Sequence, residues 1–181
     1  MKMLFISDIH GIPDNLEYIE RIIIDKKIDK LVVLGDLYYN DLPYTEENEN
    51  KAQKVKEFLN KHKNILICMR GNCDSIVDVM SSEFLIIDGL SLIYTDTDDL
   101  NIYLNHGHIY NKNKNKGFNK GILVYGHEHI PYIEKKDNMI YINVGSISLP
   151  RDGNDPTYMI YENKEFTIYD IYGNIVSNFR I

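Results

Sequence analysis

Five of the six histidines fall in three short clusters, Asp8-Ile9-His10, His106-Gly107-His108 and Gly126-His127-Glu128-His129, and each cluster directly follows an apolar run. Imidazoles and a carboxylate grouped this closely are metal-ligating chemistry. Two more polar clusters stand in the same relation to their own apolar runs: Gly35-Asp36 after residues 30–34, and Gly71-Asn72-Cys73-Asp74 after residues 65–70. Taken singly, each has an ordinary explanation, such as an Asp in a turn or at a helix cap. Taken together, they put oxygen and nitrogen donors at five strand ends, and α/β folds carry their sites in the crevice beyond such ends. Asp8 and His10 flank Ile9, so a strand continuing through them turns both side chains to one face. The donors are carboxylate, amide and imidazole without dominant thiolate, which suits Mn, Fe, Zn or a similar divalent ion rather than a Cys-rich structural zinc. Seven candidate ligands are too many for one ion.

The elements that must position these clusters follow from the apolar pattern. Residues 2–7 (KMLFIS) read as a buried strand, Pro13 as a helix opener, and Leu16, Ile19, Ile22 and Ile23 as that helix's apolar face. A second buried strand over 30–34, a helix over 51–61 carrying Ala52, Val55, Phe58 and Leu59, and a strand over 64–69 complete a β-α-β-α-β order, which implies a parallel sheet. From residue 83 on the pattern is short strands with turn punctuation at Asp88-Gly89, 96–99, Asp137-Asn138, Asn163-Lys164 and Gly173-Asn174, for which antiparallel pairing is expected. The whole reads as two packed sheets with helices outside. The acidic stretch 44–51 (YTEENENK) and the basic, low-complexity 111–116 (NKNKNK) read as solvated loops.

With 181 residues, 44% hydrophobic and 26% charged, the chain fits one domain spanning 1–181. Cys68 and Cys73 lie too close in one strand-plus-turn segment for an easy disulfide, which favours a reducing cytoplasm. Apolar runs are too short for a signal-peptide core or for the roughly 18 residues of a membrane span, so no membrane partner is expected. A formal net charge of -7 disfavours extended nucleic acid and leaves small phosphate compounds open.

The order Asp-x-His, Gly-Asp, Gly-Asn-x-Asp, His-Gly-His, Gly-His-x-His resembles the calcineurin-like metallophosphoesterase superfamily. Within it SDIHG (7–11), LGD (34–36), RGNCD (70–74), NHGH (105–108), YGHEH (125–129) and NVGSIS (143–148) are similar to the small bacterial phosphodiesterases of the YfcE type. The likeness runs from Lys2 to about Gly153. It implies an α/β fold, a four-layer αββα sandwich of two mixed β-sheets, and activity on phosphodiester bonds. It also implies two divalent ions, manganese first, with zinc, iron(II) or nickel as alternatives. One would be held by Asp8, His10, Asp36 and His129, the other by Asp36, Asn72, His106 and His127.

Two ions about 3.5–4 Å apart activate a bridging hydroxide and stabilise the charge of an in-line transition state. The NVGSIS loop offers carbonyls to fix histidine tautomers. Cys73 stands where most of the superfamily has His, so it, with His108 and Asp74, forms the candidate catalytic set; a thiol with a pKa near 8.5 is a weak donor, and slow turnover is expected. Asp74 reads as orienting the Asn72-Cys73 turn or capping the next helix. Arg151 is open to either phosphate contact or solvation, and His62 to the surface. Tyr38, Tyr39, Tyr44 and Tyr110 would stack on a nucleobase or form the contact of a homo-oligomer. The substrate class is a small phosphate ester, a diester first, with phosphomonoesterase or an interaction scaffold as alternatives; a retromer subunit of this fold is such a scaffold.

Overall fold

A run of apolar residues with no polar interruption is stable only where both faces of a sheet are covered, and Met3, Leu4, Phe5 and Ile6 are all fully buried. The computed structural model describes residues 1–39, 45–94, 101–115 and 117–181; Tyr44 and the turn expected at 96–99 lie outside these. Among the described residues are three helices, α1 (Leu16–Asp25), α2 (Glu46–Lys61) and α3 (Ile76–Ser81). The strands are β1 (Met3–Ile6), β2 (Lys30–Val33), β3 (Leu66–Met69), β4 (Ile86–Ile87), β5 (Ser91–Tyr94), β6 (Asn101–Leu104), β7 (Gly121–Tyr125), β8 (Pro131–Lys136), β9 (Met139–Val144), β10 (Thr157–Glu162), β11 (Glu165–Asp170) and β12 (Ile175–Arg180).

They form two mixed sheets, ordered β12-β11-β10-β1-β2-β3-β4 and β5-β6-β7-β9-β8. Strand alternation sorts the side chains into layers. Leu4, Ile6, Leu31 and Val33 face α1 and α2. Met3, Phe5, Val32 and Leu34 face Ile122, Val124, Ile142 and Val144 of the second sheet. On that sheet's outer face Leu123, Tyr125, Met139 and Tyr141 are covered by Tyr110 and Phe118. Among the described residues the cover on that face comes from the segment between β6 and β7, and the expected α/β architecture of two mixed sheets stands.

Several local expectations are corrected. Pro13 precedes α1 instead of opening it: Leu16 N–H donates to the Pro13 carbonyl, and the N-cap is Asn15, whose amide is engaged with the Ile147 carbonyl 2.7 Å away. Most of the acidic stretch is helical, because Thr45 caps α2 through Asn48 N–H and Glu46, Glu47 and Glu49 fill its first turn, where carboxylates meet the positive helix end. The strand expected over 83–88 shrinks to β4, paired parallel to β3. In the second sheet β5 and β8 are antiparallel to their neighbours, as expected, but β6, β7 and β9 run parallel. Short apolar runs do not encode the direction of their partners, and β7 and β9 are buried along their whole length, as strands of a parallel sheet are. The stretch 111–115 is a loop exposed at Asn113, Lys114 and Asn115, as expected, but it is pinned at its start: Asn111 is buried, its side-chain oxygen accepts from Asn113 and Lys114 N–H, and its amide donates to the Gly107 carbonyl. His62 is half-buried against Phe58 at the end of α2.

Candidate metal centre

The parallel strands β1, β2 and β3 of one sheet and β6, β7 and β9 of the other end at one edge of the sandwich, and their loops interlock. Asp8, His10 and Gly11 N–H donate to the carbonyls of Gly35, Asp36 and Leu37, while Gly126 N–H donates to the His106 carbonyl. The chain leaves the strand conformation at once. Asp8, His10, Asp36, His127 and His129 have φ of 56°, 51°, 56°, 66° and 60°. Convergence of Asp8 and His10 thus comes from two left-handed residues and not from strand alternation, a conformation that Asp and His tolerate better than most residues. Two glycines allow the backbone to touch the carboxylates. A Cβ on Gly71 would lie 2.0 Å from Asp36 Oδ1, and one on Gly126 would lie 2.4 Å from Asp8 Oδ2.

Three histidines are oriented by carbonyls. His10 Nδ1 meets the Tyr39 carbonyl at 2.7 Å, His106 Nδ1 that of Leu34 at 2.8 Å, and His129 Nδ1 that of Leu149 at 2.6 Å. A carbonyl only accepts, so each Nδ1 carries the proton and each Nε2 of a neutral ring presents a bare lone pair. Those lone pairs face one another and the acids. His10 Nε2 lies 3.3 Å from His129 Nε2, which is 3.2 Å from Asp8 Oδ1, a buried oxygen with no hydrogen-bond partner among the described residues. Acceptors gathered this closely without donors are stable only around a cation or added protons. The donor set thus fits a divalent ion, and the positions sort into overlapping groups with donor atoms within 4.8 Å: Asp8, His10 and His129; His10, Asp36 and Cys73; Asp36, His106 and His127. Asp36 and His10 each belong to two of these, so the three groups form one continuous cluster. Asn72 joins the third through its Oδ1, 3.0 Å from His106 Nε2.

The electrostatics point the same way. Burial opposes the charge of Asp36, but the hydrogen bond and charge of His106, Cys73 N–H and the charge of His10 outweigh it and hold its pKa far below the carboxylate range. Burial likewise opposes a charged His106, yet the bond to Asp36 and the charges of Asp8 and Asp36 raise its pKa to about 9. For His127, burial and then the charge of His106 lower it to about 4, leaving a neutral ring at neutral pH.

A cleft of about 520 Å3 opens onto this centre, lined by His10, Asp36, Asn72, Cys73, His127, Glu128, His129, Ile130, Arg151 and Asp152. Cys73 lies in the cleft, receiving Asn72 Nδ2 on its sulfur at 3.2 Å. His108 is not among the lining residues; its ring sits 5.5 Å from that of His106 and 6.1 Å from that of His127, with a buried Nδ1 that no described residue partners. Asp74 does not cap α3, which is capped by Ser75 with Asp78 in a reciprocal box. Its carboxylate instead accepts Asp36, Leu37 and Gly71 N–H, so it braces the loops carrying Asp36 and Asn72.

Sequence reasoning placed the carbonyl clamps in the NVGSIS segment, whereas the nearest clamp is Leu149, just beyond it. Within the segment Ser146 and Ser148 hydroxyls donate to the Asp8 carbonyl, and Asn143 donates to that of Gly126. The Gly-His-x-His spacing fixes the position of Glu128 but not its role, and the approach of Arg151, whose N–H donates to the His129 carbonyl at 3.1 Å, is a tertiary fact that the sequence does not carry. Of the four tyrosines, Tyr38 and Tyr110 are half-buried against other side chains and Tyr39 is 53% exposed.

A model of the calcineurin-like phosphoesterase superfamily domain matches residues 1–165. The chain is 34% identical over 170 residues to phosphodiesterase YfcE of Escherichia coli (strain K12), covering 93% of this chain and 91% of that protein. The solved structure of YfcE, described as a phosphoesterase from E. coli, matches with a TM-score of 0.89 and 31% identity over 100% of both chains. Vps29 from Entamoeba histolytica, solved with Zn2+, shares the fold at a TM-score of 0.55 and 18% identity, covering 100% of this chain and 98% of that one.

Proposed function

The chain belongs to the calcineurin-like phosphoesterase superfamily, and from that premise we propose that it hydrolyses phosphodiester bonds of small phosphate esters with two divalent ions held where its ligand loops meet. In this reading Asp8, His10, Asp36 and His129 hold one ion, and Asp36, Asn72, His106 and His127 the other. The observation that carries it is the position of Asp36 in two donor groups at once, linked through His10 to an Asp8 Oδ1 that accepts no hydrogen bond from any described residue. Bound there, two ions, with manganese favoured over zinc, iron(II) or nickel, would supply an activated hydroxide nucleophile and neutralise charge building on the phosphoryl oxygens.

The protein's own residues do the rest. Carbonyls of Leu34, Tyr39 and Leu149 fix three imidazoles, Asp74 and the serine hydroxyls hold the loops, and Cys73, in the cleft, faces the leaving oxygen as a weak donor. The guanidinium of Arg151, which has no side-chain partner among the described residues, would grip a non-bridging oxygen. Glu128 and Asp152 line the same cleft, and acidic residues there match a monoanionic diester better than a dianionic monoester. The complete donor set argues against a scaffold. Cys68 and Cys73, which form no disulfide, and the acidic charge support a cytoplasmic enzyme acting on a small ester rather than on extended nucleic acid.

Manganese-loaded protein should hydrolyse a chromogenic diester, bis(p-nitrophenyl) phosphate, faster than the monoester, and Asp36→Asn should lower the rate by a factor on the order of 10^2 to 10^3 or more. A preference for the monoester would replace the diester reading with a phosphomonoesterase.

A further inference from the structure

The Gly-His-x-His pattern leaves the residue between the two histidines open, and here it is Glu128, half-buried. Its Oε2 accepts the Tyr132 hydroxyl at 2.7 Å and, more weakly, Asn143 Nδ2 at 3.4 Å. The Tyr132 oxygen in turn receives the Tyr125 hydroxyl, and the Tyr125 oxygen accepts Lys112 N–H at 3.1 Å. Because Tyr132 spends its proton on Glu128, the order of donation is fixed from Lys112 to Tyr125 to Tyr132 to Glu128. Lys112 also lays its ammonium 4.1 Å from the centre of the Tyr132 ring while pairing with Glu134 at 2.9 Å. Burial foremost lifts both phenols above their ordinary range, so the hydroxyls keep their protons at working pH.

The relay joins the two histidine loops. One end is the segment after His106-Gly107-His108, anchored to Gly107 by Asn111; the other is the residue between His127 and His129, whose loop Asn143 also holds through the Gly126 carbonyl. A fully satisfied hydrogen-bond chain of this kind rigidifies what it connects.

We propose that Tyr125, Tyr132 and Glu128 are positioning residues that lock the His127-Glu128-His129 loop against the His106 loop and thereby set the affinity of the metal centre. The proposal rests on the dinuclear reading above. It is tested by calorimetric titration of metal-free protein with Mn2+. Tyr132→Phe keeps the ring over Lys112 and deletes only the hydroxyl; it should leave the circular dichroism spectrum unchanged and weaken Mn2+ binding by roughly 10- to 100-fold, the scale for partners that orient metal ligands. Glu128→Ala should do the same, and Glu128→Gln should recover most of the affinity, since its amide oxygen accepts the same bond. Wild-type affinity in Tyr132→Phe or Glu128→Ala overturns the relay while leaving the dinuclear reading intact. Equal loss in Glu128→Gln and Glu128→Ala also overturns it, because charge and not the bond would then matter. If wild-type protein binds no Mn2+, the dinuclear reading falls and the relay with it.

Discussion

Asp8, His10, Asp36, His127 and His129 each hold a left-handed backbone conformation that costs a non-glycine residue about 1–2 kcal/mol. Five such residues weigh heavily against the roughly 5–15 kcal/mol that stabilises a domain, so the surrounding hydrogen bonds must hold them in place. The charges there are equally uneasy without a cation. A folded pKa of about 9 for His106 means that the stability contributed by its charged form is complete below the ordinary value near 6.5 and is lost as the pH rises through 9. Metal-free protein should therefore melt at a lower temperature near pH ~9.5 than near pH ~6.5, and His106→Gln should flatten that slope; an unaltered slope contradicts the pairing with Asp36. Cys73→His should raise or preserve the rate if the position faces the leaving group. Unchanged rate and pH profile would remove Cys73 from that role. Arg151→Ala should raise KM for the diester several-fold and leave kcat nearly untouched, and an unchanged KM would put its guanidinium back in solvent.

At the scale of elements, the site is a consequence of six parallel strands in two sheets ending at one edge. Gly126→Ala tests how tightly those ends fit: a Cβ would sit 1.9 Å from Ser7 Oγ, so thermal stability and Mn2+ affinity should both fall, and a variant with wild-type values for both would mean that the loops can part. Much of this scale was legible. The uninterrupted runs at 2–7 and 30–34 need cover on both faces, and the apolar faces of α1 and α2 supply it. The direction of β6, β7 and β9 was not legible, because a five-residue apolar run looks the same whichever way its neighbour points. The first turns of α2 were hidden by their acidic composition, and α3 is only six residues long, with Ile76, Val77 and Met80 exposed, so its apolar residues mark no buried face. The ligands were visible because metal chemistry restricts residue type at short spacing, whereas the Tyr125–Tyr132–Glu128 chain and the approach of Arg151 exist only once β7, β8 and the segment after β9 are brought together.

For the whole molecule, a net charge of -7 coexists with a centre that gathers Asp8 and Asp36 in its interior. Two divalent ions there would cut the net charge to about -3 and turn the cleft attractive to phosphate, so the charge of the chain alone does not describe what a substrate meets. Ions that bind only the folded state stabilise it by about 2.7 kcal/mol at a hundredfold excess over Kd. The most direct test of the central claim is the stoichiometry of Mn2+ bound by metal-free protein, followed by calorimetry alongside hydrolysis of bis(p-nitrophenyl) phosphate. The account predicts two equivalents bound, activity rising only as the second site fills, and neither in Asp36→Asn, since that residue serves both ions. A single equivalent at full activity, or full activity in a chelator, would contradict it.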